Sequence, residues 1–176
     1  MSLLFPIGDE KGAEFSPCRK WRYTLWRQWN FPEDRPVKSI AFIGLNPSTA
    51  DEEVEDNTVR RCINFSKDWG FDRYYMLNAY ASRDTGPAGM KRAQEPIGEG
   101  NDEALARIAA SVEMIIGAWG SHCTRERQKA VCEVVGRKIY CLGWTDGGFP
   151  RHPLFMPKIA CPSLFWSPEN GFANPQ

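Results

Sequence analysis

Short stretches of alternating or continuous apolar residues along the chain predict β-strands. Arg19–Arg27 places Trp21, Tyr23 and Leu25 on one side of a period of two. Val37–Ile43 is instead a nearly continuous apolar run, which is typical of a buried strand. Further strands are predicted at Asp72–Leu77, Val112–Ala118 and Lys138–Leu142.

Apolar positions three and four residues apart predict helices between these strands. The clearest helix begins at Asp56 or Asn57, both favourable N-caps, and continues to Trp69, with Gly70 where a helix stop is expected. Two further helices are predicted at Asp102–Ser111, with Asn101 as its cap, and from Ser121 to Val135. A long loop punctuated by glycine and proline covers Ala81–Gly100.

The predicted order of elements is β-β-α-β-α-β-α-β, so helices separate most of the strands. This order predicts an α/β fold with a mostly parallel central sheet, helices on both of its faces, and an antiparallel or edge strand at the N-terminus. The length of 176 residues fits a single domain over residues 1–176. We expect its core over about residues 19–166, with residues 1–16 and 167–176 loosely ordered.

Composition and charge exclude several classes of protein. Lys plus Arg and Asp plus Glu both number 22, so the net charge is zero. This balance argues against a tail that coats DNA or a membrane by electrostatic attraction, although a local basic patch remains possible. No apolar run is long enough to span a bilayer and the N-terminus lacks the basic region of a signal peptide, so we expect a cytoplasmic protein without a membrane partner. The oligomeric state stays open.

The cysteines, histidines and acidic residues show no metal-site spacing. None of the six cysteines forms a CxxC pair, and His122 and His152 complete no zinc-finger spacing. The acidic run Asp51–Asp56 lacks the central glycine and the oxygen pattern of an EF-hand. P-loop and GxGxxG motifs are also absent. We therefore expect no metal and no cofactor, and thiols that are reduced and buried.

Unusual residues follow four of the predicted strands. In an open parallel sheet, ligands bind beyond the carboxyl ends of the strands. Polar groups from these loops are therefore expected to converge although they lie far apart in the chain. The loop segments are Gly44–Thr49, Asn78–Tyr80, Trp119–His122, and Gly143–Trp144 with Arg151–Leu154.

Aromatic residues make up 12% of the chain, which is enough to suggest either core filling or stacking on bases. Most of them fall on predicted strands and helices, where they must pack. The candidates for base stacking are those in or beside the four loops, namely Tyr80, Trp119, Trp144 and Phe155.

Two residues of the loops are candidates for chemistry. Asn46 lies between Gly44, which permits a sharp turn, and Pro47, which fixes the backbone. Its amide is thus held with little freedom and can orient a water or a ligand; the alternative is an Asx-type turn in which it bonds its own backbone. His152, in a proline-flanked loop, can act as acid, base or electrophile, or have a surface role. Arg151 beside it can position a phosphate, or be a solvated neighbour.

Five motifs together resemble one uncharacterised family of bacterial and phage domains, over about Arg19 to Pro157. They are GLNPSTAD (44–51), DNTVRRC (56–62), LN (77–78), GAWG (117–120) and RHPLF (151–155). The ordered trio GLNP, MLNA and HP also resembles, more distantly, the uracil-DNA glycosylase superfamily. That resemblance implies a three-layer α/β/α sandwich with a mostly parallel central sheet.

The glycosylase resemblance implies roles for three residues. Asn46 would hold the attacking water, Asn78 would read the edge of the base, and His152 would stabilise the departing base anion. Asn46 stands where the fastest uracil-specific enzymes carry an aspartate, and Ser48 where they carry a bulky tyrosine. These differences imply a site without a general base at position 46 that is open to thymine or a larger C5 substituent. Leu154 replaces a serine that contacts the DNA backbone.

DNA or a nucleotide is the partner that the resemblance implies. The base-binding candidates are Gly44, Leu45, Pro47, Ser48, Asn78, Tyr80 and Trp119, and the phosphate-binding candidates are Arg61, Ser121 and Arg151. The leading hypothesis is hydrolysis of the N-glycosidic bond of a pyrimidine or modified base in DNA. The alternatives are a non-catalytic nucleotide or modified-base binding module on the same fold and a small-molecule hydrolase or transferase. A steep loss of binding with salt would indicate DNA rather than a neutral metabolite.

Overall fold

The computed structural model describes residues 10–48, 50–51, 53–83 and 87–173. These residues form one sheet of eight strands together with four α-helices and a short 3-10 turn. The strands are β1 (Glu10–Phe15), β2 (Arg22–Gln28), β3 (Ser39–Gly44), β4 (Arg73–Asn78), β5 (Met114–Gly117), β6 (Ile139–Cys141), β7 (Ser163–Ser167) and β8 (Gly171–Phe172). The helices are α1 (Asn57–Asp68), α2 (Pro87–Arg92), α3 (Asn101–Ala109) and α4 (Arg125–Val135), and the 3-10 turn is Pro153–Phe155.

The sheet is mixed, with a parallel centre and antiparallel flanks. Its strand order is β1-β2-β4-β3-β5-β6-β7-β8. The three central pairings, β4 with β3, β3 with β5, and β5 with β6, are parallel. The four outer pairings are antiparallel. The α/β class is thus confirmed, but the predicted mostly parallel sheet describes only the centre, because hairpin-type strands extend it at both edges.

Helices pack on both faces of the sheet, and the alternation along β3 shows how. Ala41 and Ile43 belong to a cluster with buried residues of α3 and α4. Ile40 and Phe42 point the other way and pack with buried residues of α1. Since successive side chains of a strand point to opposite faces, a continuous apolar run such as β3 is required for a strand covered on both sides.

Helix α1 confirms its predicted limits, because its signals are local. The side chain of Asp56 accepts a hydrogen bond from the amide of Val59, and the helix ends before Trp69 and Gly70, which has φ +78°. Helix α4 begins later than predicted, since Thr124 rather than Ser121 provides the N-cap.

Three predictions, one about helix capping and two about loosely ordered ends, are wrong. Asn101 was expected to cap α3, but it is the first residue of the helix and is fully buried, and its Nδ2 donates to the carbonyls of Asn78 and Ala79 at 3.0 and 3.3 Å. Glu10–Phe15, expected to be loose, forms strand β1. That strand is largely exposed at the sheet edge, so its sequence carries no apolar alternation. The short strand β8 likewise lies in the tail that was expected to be loose.

The long loop predicted over residues 81–100 contains helix α2, only six residues long. Met90 is the residue of α2 that reaches the core, which leaves no apolar repeat for sequence analysis to detect. None of the helices in the described ranges has the length and apolar character that crossing a bilayer requires.

Candidate functional site

A cavity of about 580 Å³ opens at the carboxyl ends of the parallel strands. Three of the four loops predicted to converge contribute to its wall, together with the start of α1 and one residue each from β2 and β4. Its wall residues are Arg22, Gly44, Leu45, Asn46, Ser48, Asp56, Thr58, Val59, Met76, Pro87, Trp119, Gly120, Ser121, His122, Thr145, Asp146, Arg151, His152, Leu154 and Phe155. Asn46 and His152 therefore meet in one cavity.

The loop after β3 is anchored against the loop after β4. The amides of Ala79 and Tyr80 donate to the carbonyls of Gly44 and Leu45 at 2.8 and 2.9 Å. The Nδ2 of Asn46 donates to the carbonyl of Pro47 at 3.2 Å and to the more distant carbonyl of Ser82 at 3.4 Å. These two bonds hold the amide of Asn46 in the cavity wall.

Asp56 brings a carboxylate into the same wall. One of its oxygens accepts the amide of Val59 at 2.8 Å, and the other accepts the hydroxyl of Ser48. The N-cap of α1 is therefore bonded directly to the loop after β3. Sequence analysis identified Asp56 as a cap but gave no indication that it borders the cavity, since that depends on the contact with Ser48 eight residues earlier.

His152 is half-buried, and its environment favours a neutral imidazole. The amide of Leu154 donates to its Nδ1 at 3.3 Å, so in the neutral ring the proton resides on Nε2. Burial lowers the pKa of His152 below its usual value, and the charge of Asp56 partly opposes that shift. The ring also packs edge-on against Phe155, with centroids 5.9 Å apart. His152 consequently offers an N–H donor without a positive charge near neutral pH.

Asn78 lies directly behind the cavity wall. It is 0% exposed, and neither Nδ2 nor Oδ1 has a hydrogen-bond partner in the described part of the chain. A Cβ added to Gly44 would lie 3.1 Å from Asn78 Oδ1 and 2.9 Å from Met76 Cε. Gly44 and Met76 both line the cavity. Asn78 therefore lies directly behind these two residues of the wall, and position 44 has no side chain to separate it further from the cavity.

Arg22 is a buried cation on the cavity wall that sequence analysis missed. It is 2% exposed; one of its terminal nitrogens donates to the carbonyl of Ala50, while Nε has no acceptor among the described residues. Burial lowers its pKa to about 10, against the opposing charges of Tyr74 and Asp56. In the sequence Arg22 is one polar residue of a strand with alternating apolar and polar positions. Only the tertiary structure shows that the side of the strand on which Arg22 lies is buried.

Several predicted contacts lie away from the cavity. Pro47 is buried and absent from the wall, and Tyr80 is buried with its hydroxyl oxygen accepting the amide of Thr124 at 3.4 Å. Arg61 donates to the carbonyl of Met156 and lies near a separate pocket on α1, because α1 turns it away from the loops. The predicted phosphate contact of Arg61 therefore lies outside the site.

Of the other predicted contacts, Ser121 and Arg151 are exposed on the cavity wall, and the Nε of Arg151 donates to the carbonyl of Trp144 at 2.7 Å. Trp119 reaches the wall but is mainly a core residue. Its Nε1 donates to the side-chain oxygen of Gln128 at 2.8 Å, and its ring packs edge-on against Phe165. The Trp119 ring is thus already packed inside the protein.

In the described ranges, no three histidine, cysteine or acidic side chains lie close enough together to hold a metal ion. The six cysteines are free thiols. Cys62, Cys123, Cys132 and Cys141 are buried as expected, whereas Cys18 and Cys161 are exposed.

A family model described as a protein of unknown function (DUF1643) matches residues 22–154. The matched segment is 133 of the 176 residues. It contains every residue of the cavity wall except Phe155. No curated protein and no solved structure matches the chain. The chain therefore belongs to the family of proteins of unknown function DUF1643.

Proposed function

We propose that this protein hydrolyses the N-glycosidic bond of a pyrimidine or modified base in DNA, at a site similar to that of the uracil-DNA glycosylase superfamily. The observation that carries the proposal is the meeting of Asn46 and His152 in one cavity at the carboxyl ends of parallel strands, although they lie more than a hundred residues apart. The parallel centre of the sheet with helices on both faces is compatible with the fold that the resemblance implies, and the antiparallel flanks extend it.

The cavity suits a planar, polar ring. Its volume of about 580 Å³ lies within the range of about 300–1,000 Å³ that is usual for small-molecule sites. Leu45, Val59 and Met76 supply apolar surface, whereas Arg22 and Asp56 supply charged groups. Apolar walls with a few oriented polar groups are what recognition of a nucleobase requires.

In the proposed reaction the bond between the sugar carbon and the base nitrogen breaks first, and both electrons leave with the base. The neutral His152 donates through Nε2–H to a carbonyl oxygen of the departing anion. Asn46 orients a water that adds to the sugar carbon, and the proton lost by that water ends on the released base. The carboxylate of Asp56 favours the positive charge that develops on the sugar.

Asn78 is the proposed reader of the base edge. Its amide offers one donor group and one acceptor, both without partners in the described part of the chain. A buried amide without partners costs about 1–3 kcal/mol, and a ligand edge with complementary groups removes that cost. Contact requires the base to reach past Gly44, which has no side chain, and past the end of the flexible Met76 side chain.

A non-catalytic base-binding module is the second candidate function. One observation favours it: both oxygens of Asp56 already accept hydrogen bonds, and Asn46 carries no basic group. The cavity then binds a base or nucleotide without activating water.

Base release from oligonucleotides separates the two functions. The substrates are single- and double-stranded DNA with uracil, mispaired thymine or a C5-substituted pyrimidine, and the readout is free base by mass spectrometry. We expect release by the native protein and a loss of about 100-fold in Asn46→Ala and in His152→Ala. Asn64→Ala, on the exposed side of α1, is the matched control and retains full release.

His152→Gln sharpens the same experiment, because glutamine keeps an N–H donor but does not titrate. It is expected to retain part of the activity of the native protein. Its activity should not show the decline at low pH that protonation of His152 causes in the native protein. Binding of the oligonucleotide without release favours the binding module. If the native protein neither binds these oligonucleotides nor releases a base from them, both functions are contradicted.

A further inference from the structure

A second cavity, of about 660 Å³, adjoins the first, and Ser48 lines both. Its wall comes from the turn before β2, the segment after β4 and the segment after α2. The residues are Cys18, Arg19, Lys20, Trp21, Ser48, Ser82, Arg83, Ala93, Gln94 and Glu95. We call this cavity the basic groove.

Positive charge is concentrated in the basic groove, although the whole chain has a net charge of zero. Among the described residues, its wall has the cations of Arg19, Lys20 and Arg83 and the carboxylate of Glu95. Asp51 also lies near, but its Oδ1 accepts the amides of Glu53 and Val54 at 2.8 Å. The groove is therefore a local cationic patch of the kind that the balanced composition left open.

Two of the guanidinium groups are held by one aromatic ring. The Cζ atoms of Arg19 and Arg83 lie 3.9 and 4.7 Å from the centroid of the Phe15 ring, so a single aromatic ring contacts both cations. The amide of Arg83 donates to the carbonyl of Lys20 at 3.1 Å. The two guanidinium groups are therefore anchored on the same part of the groove wall.

Further features indicate that these cations are positioned for a ligand. The Nε of Arg83 is buried and has no acceptor in the described ranges. Arg19 has φ +56°, a left-handed conformation that favours glycine, so the turn holds an arginine where glycine fits most easily. The amide of Arg19 donates to the carbonyl of Ser16 at 2.8 Å and keeps this turn closed.

We propose that the basic groove binds phosphate groups of a single nucleic-acid strand whose base occupies the first cavity. This inference rests on the proposed function. Because Ser48 lies in the wall of both cavities, the two adjoin, and a strand with one base in the first cavity places its neighbouring backbone at the second. Trp21 on the groove wall adds an aromatic surface beside that path.

The test compares an oligonucleotide with a nucleoside. The binding of a fluorescent single-stranded oligonucleotide with one uracil is measured at several salt concentrations, and the binding of deoxyuridine is measured alongside. The variant is Lys20→Gln with Arg83→Gln. Its matched control, Lys67→Gln with Lys129→Gln, removes the same charge from exposed positions on α1 and α4.

We expect the groove variant to bind the oligonucleotide about tenfold more weakly at low salt. The slope of log affinity against log salt should become shallower by about 1.4, since two phosphate contacts to a single strand are lost. Deoxyuridine affinity is unchanged, since a nucleoside has no phosphate. Arg83→Lys keeps the charge and restores the slope. The control pair leaves both affinities as in the native protein.

Each failure has a distinct meaning. If deoxyuridine binds but the groove variant does not alter oligonucleotide binding or its slope, this inference is overturned and the proposed function stands. If the groove variant weakens the oligonucleotide while deoxyuridine does not bind at all, the groove holds phosphate and the proposed function fails. If inorganic phosphate competes for the groove as well as the oligonucleotide does at equal phosphate concentration, the assignment to a strand is overturned.

Discussion

Buried polar groups at the two ends of strand β4 differ in whether they have hydrogen-bond partners. At the amino ends, Asp72 stands just before β4 and is 2% exposed, and its carboxylate is fully bonded. Arg35 contacts both of its oxygens at 2.5 and 2.9 Å, Asn30 donates to it at 2.6 Å, and the amide of Lys38 donates at 2.8 Å. At the carboxyl ends, Asn78 is the last residue of the same strand, and neither polar atom of its amide has a partner among the described residues.

This difference separates groups whose hydrogen bonds stabilise the fold from groups that we propose bind a ligand. A buried polar group without a partner is a cost in the free protein, whereas a fully bonded one contributes to stability. Arg22 Nε and the amide of Asn78, both unpaired in the described part of the chain, lie at or behind the cavity wall. The amino-end cluster accordingly predicts effects on stability, and the carboxyl-end groups predict effects on binding.

The largest effect is expected from the amino ends. Asp72→Asn removes a buried charge and leaves the donors of Arg35 and Lys38 poorly matched, so we expect a loss of about 2–3 kcal/mol in the free energy of unfolding. Urea denaturation measures it. Asp68→Asn, an exposed residue at the end of α1, is the control and is expected within about 0.5 kcal/mol of the native protein. Equal stability of both variants would show that the cluster contributes nothing.

Acid should reduce the contribution of Asp72. Its hydrogen bonds, chiefly with Arg35, hold the pKa of Asp72 well below its usual range. A carboxylate with a lowered pKa in the folded state contributes its full stability above the unfolded-state pKa of about 3.9, and loses it as the pH falls towards the folded-state pKa. The stability gap between the native protein and Asp72→Asn is thus constant above about pH 5 and narrows below about pH 4. A gap that stays constant down to pH 3 would contradict this account.

Two buried asparagines at the carboxyl end of β4 give a smaller but sharper contrast. Asn101 and Asn78 are both 0% exposed. The Nδ2 of Asn101 donates to two backbone carbonyls, one of them that of Asn78, whereas the side chain of Asn78 has no hydrogen-bond partner among the described residues. Asn101→Leu is expected to lose about 1–2 kcal/mol, and Asn78→Leu, similar in shape, to change by less than about 0.5 kcal/mol or to gain stability. Thermal and urea unfolding of the two variants make the comparison. Equal losses would mean that Asn78 is bonded in solution.

The sequence predicted what depends on local chemistry and on strand ends. The N-cap of α1 at Asp56 is a matter of a few neighbouring residues. The meeting of Asn46 with His152 follows once the strands that precede them, β3 and β6, end at the same edge of the parallel centre of the sheet. The burial of Arg22 and the contact of Asp56 with Ser48 depend on which tertiary neighbours cover each face. Strand β1 was missed because an exposed edge strand needs no apolar alternation.

Protection of the fold by nucleosides tests the central claim most directly, namely that the unpaired groups at the carboxyl ends form a nucleobase site. The free energy of unfolding is measured for the native protein and for Asn78→Leu, with and without deoxyuridine, thymidine or deoxycytidine. At about ten times the dissociation constant, at least one nucleoside should stabilise the native protein by about 1.4 kcal/mol, and none should stabilise Asn78→Leu. The absence of stabilisation in the native protein, or an equal gain in both proteins, would contradict the account.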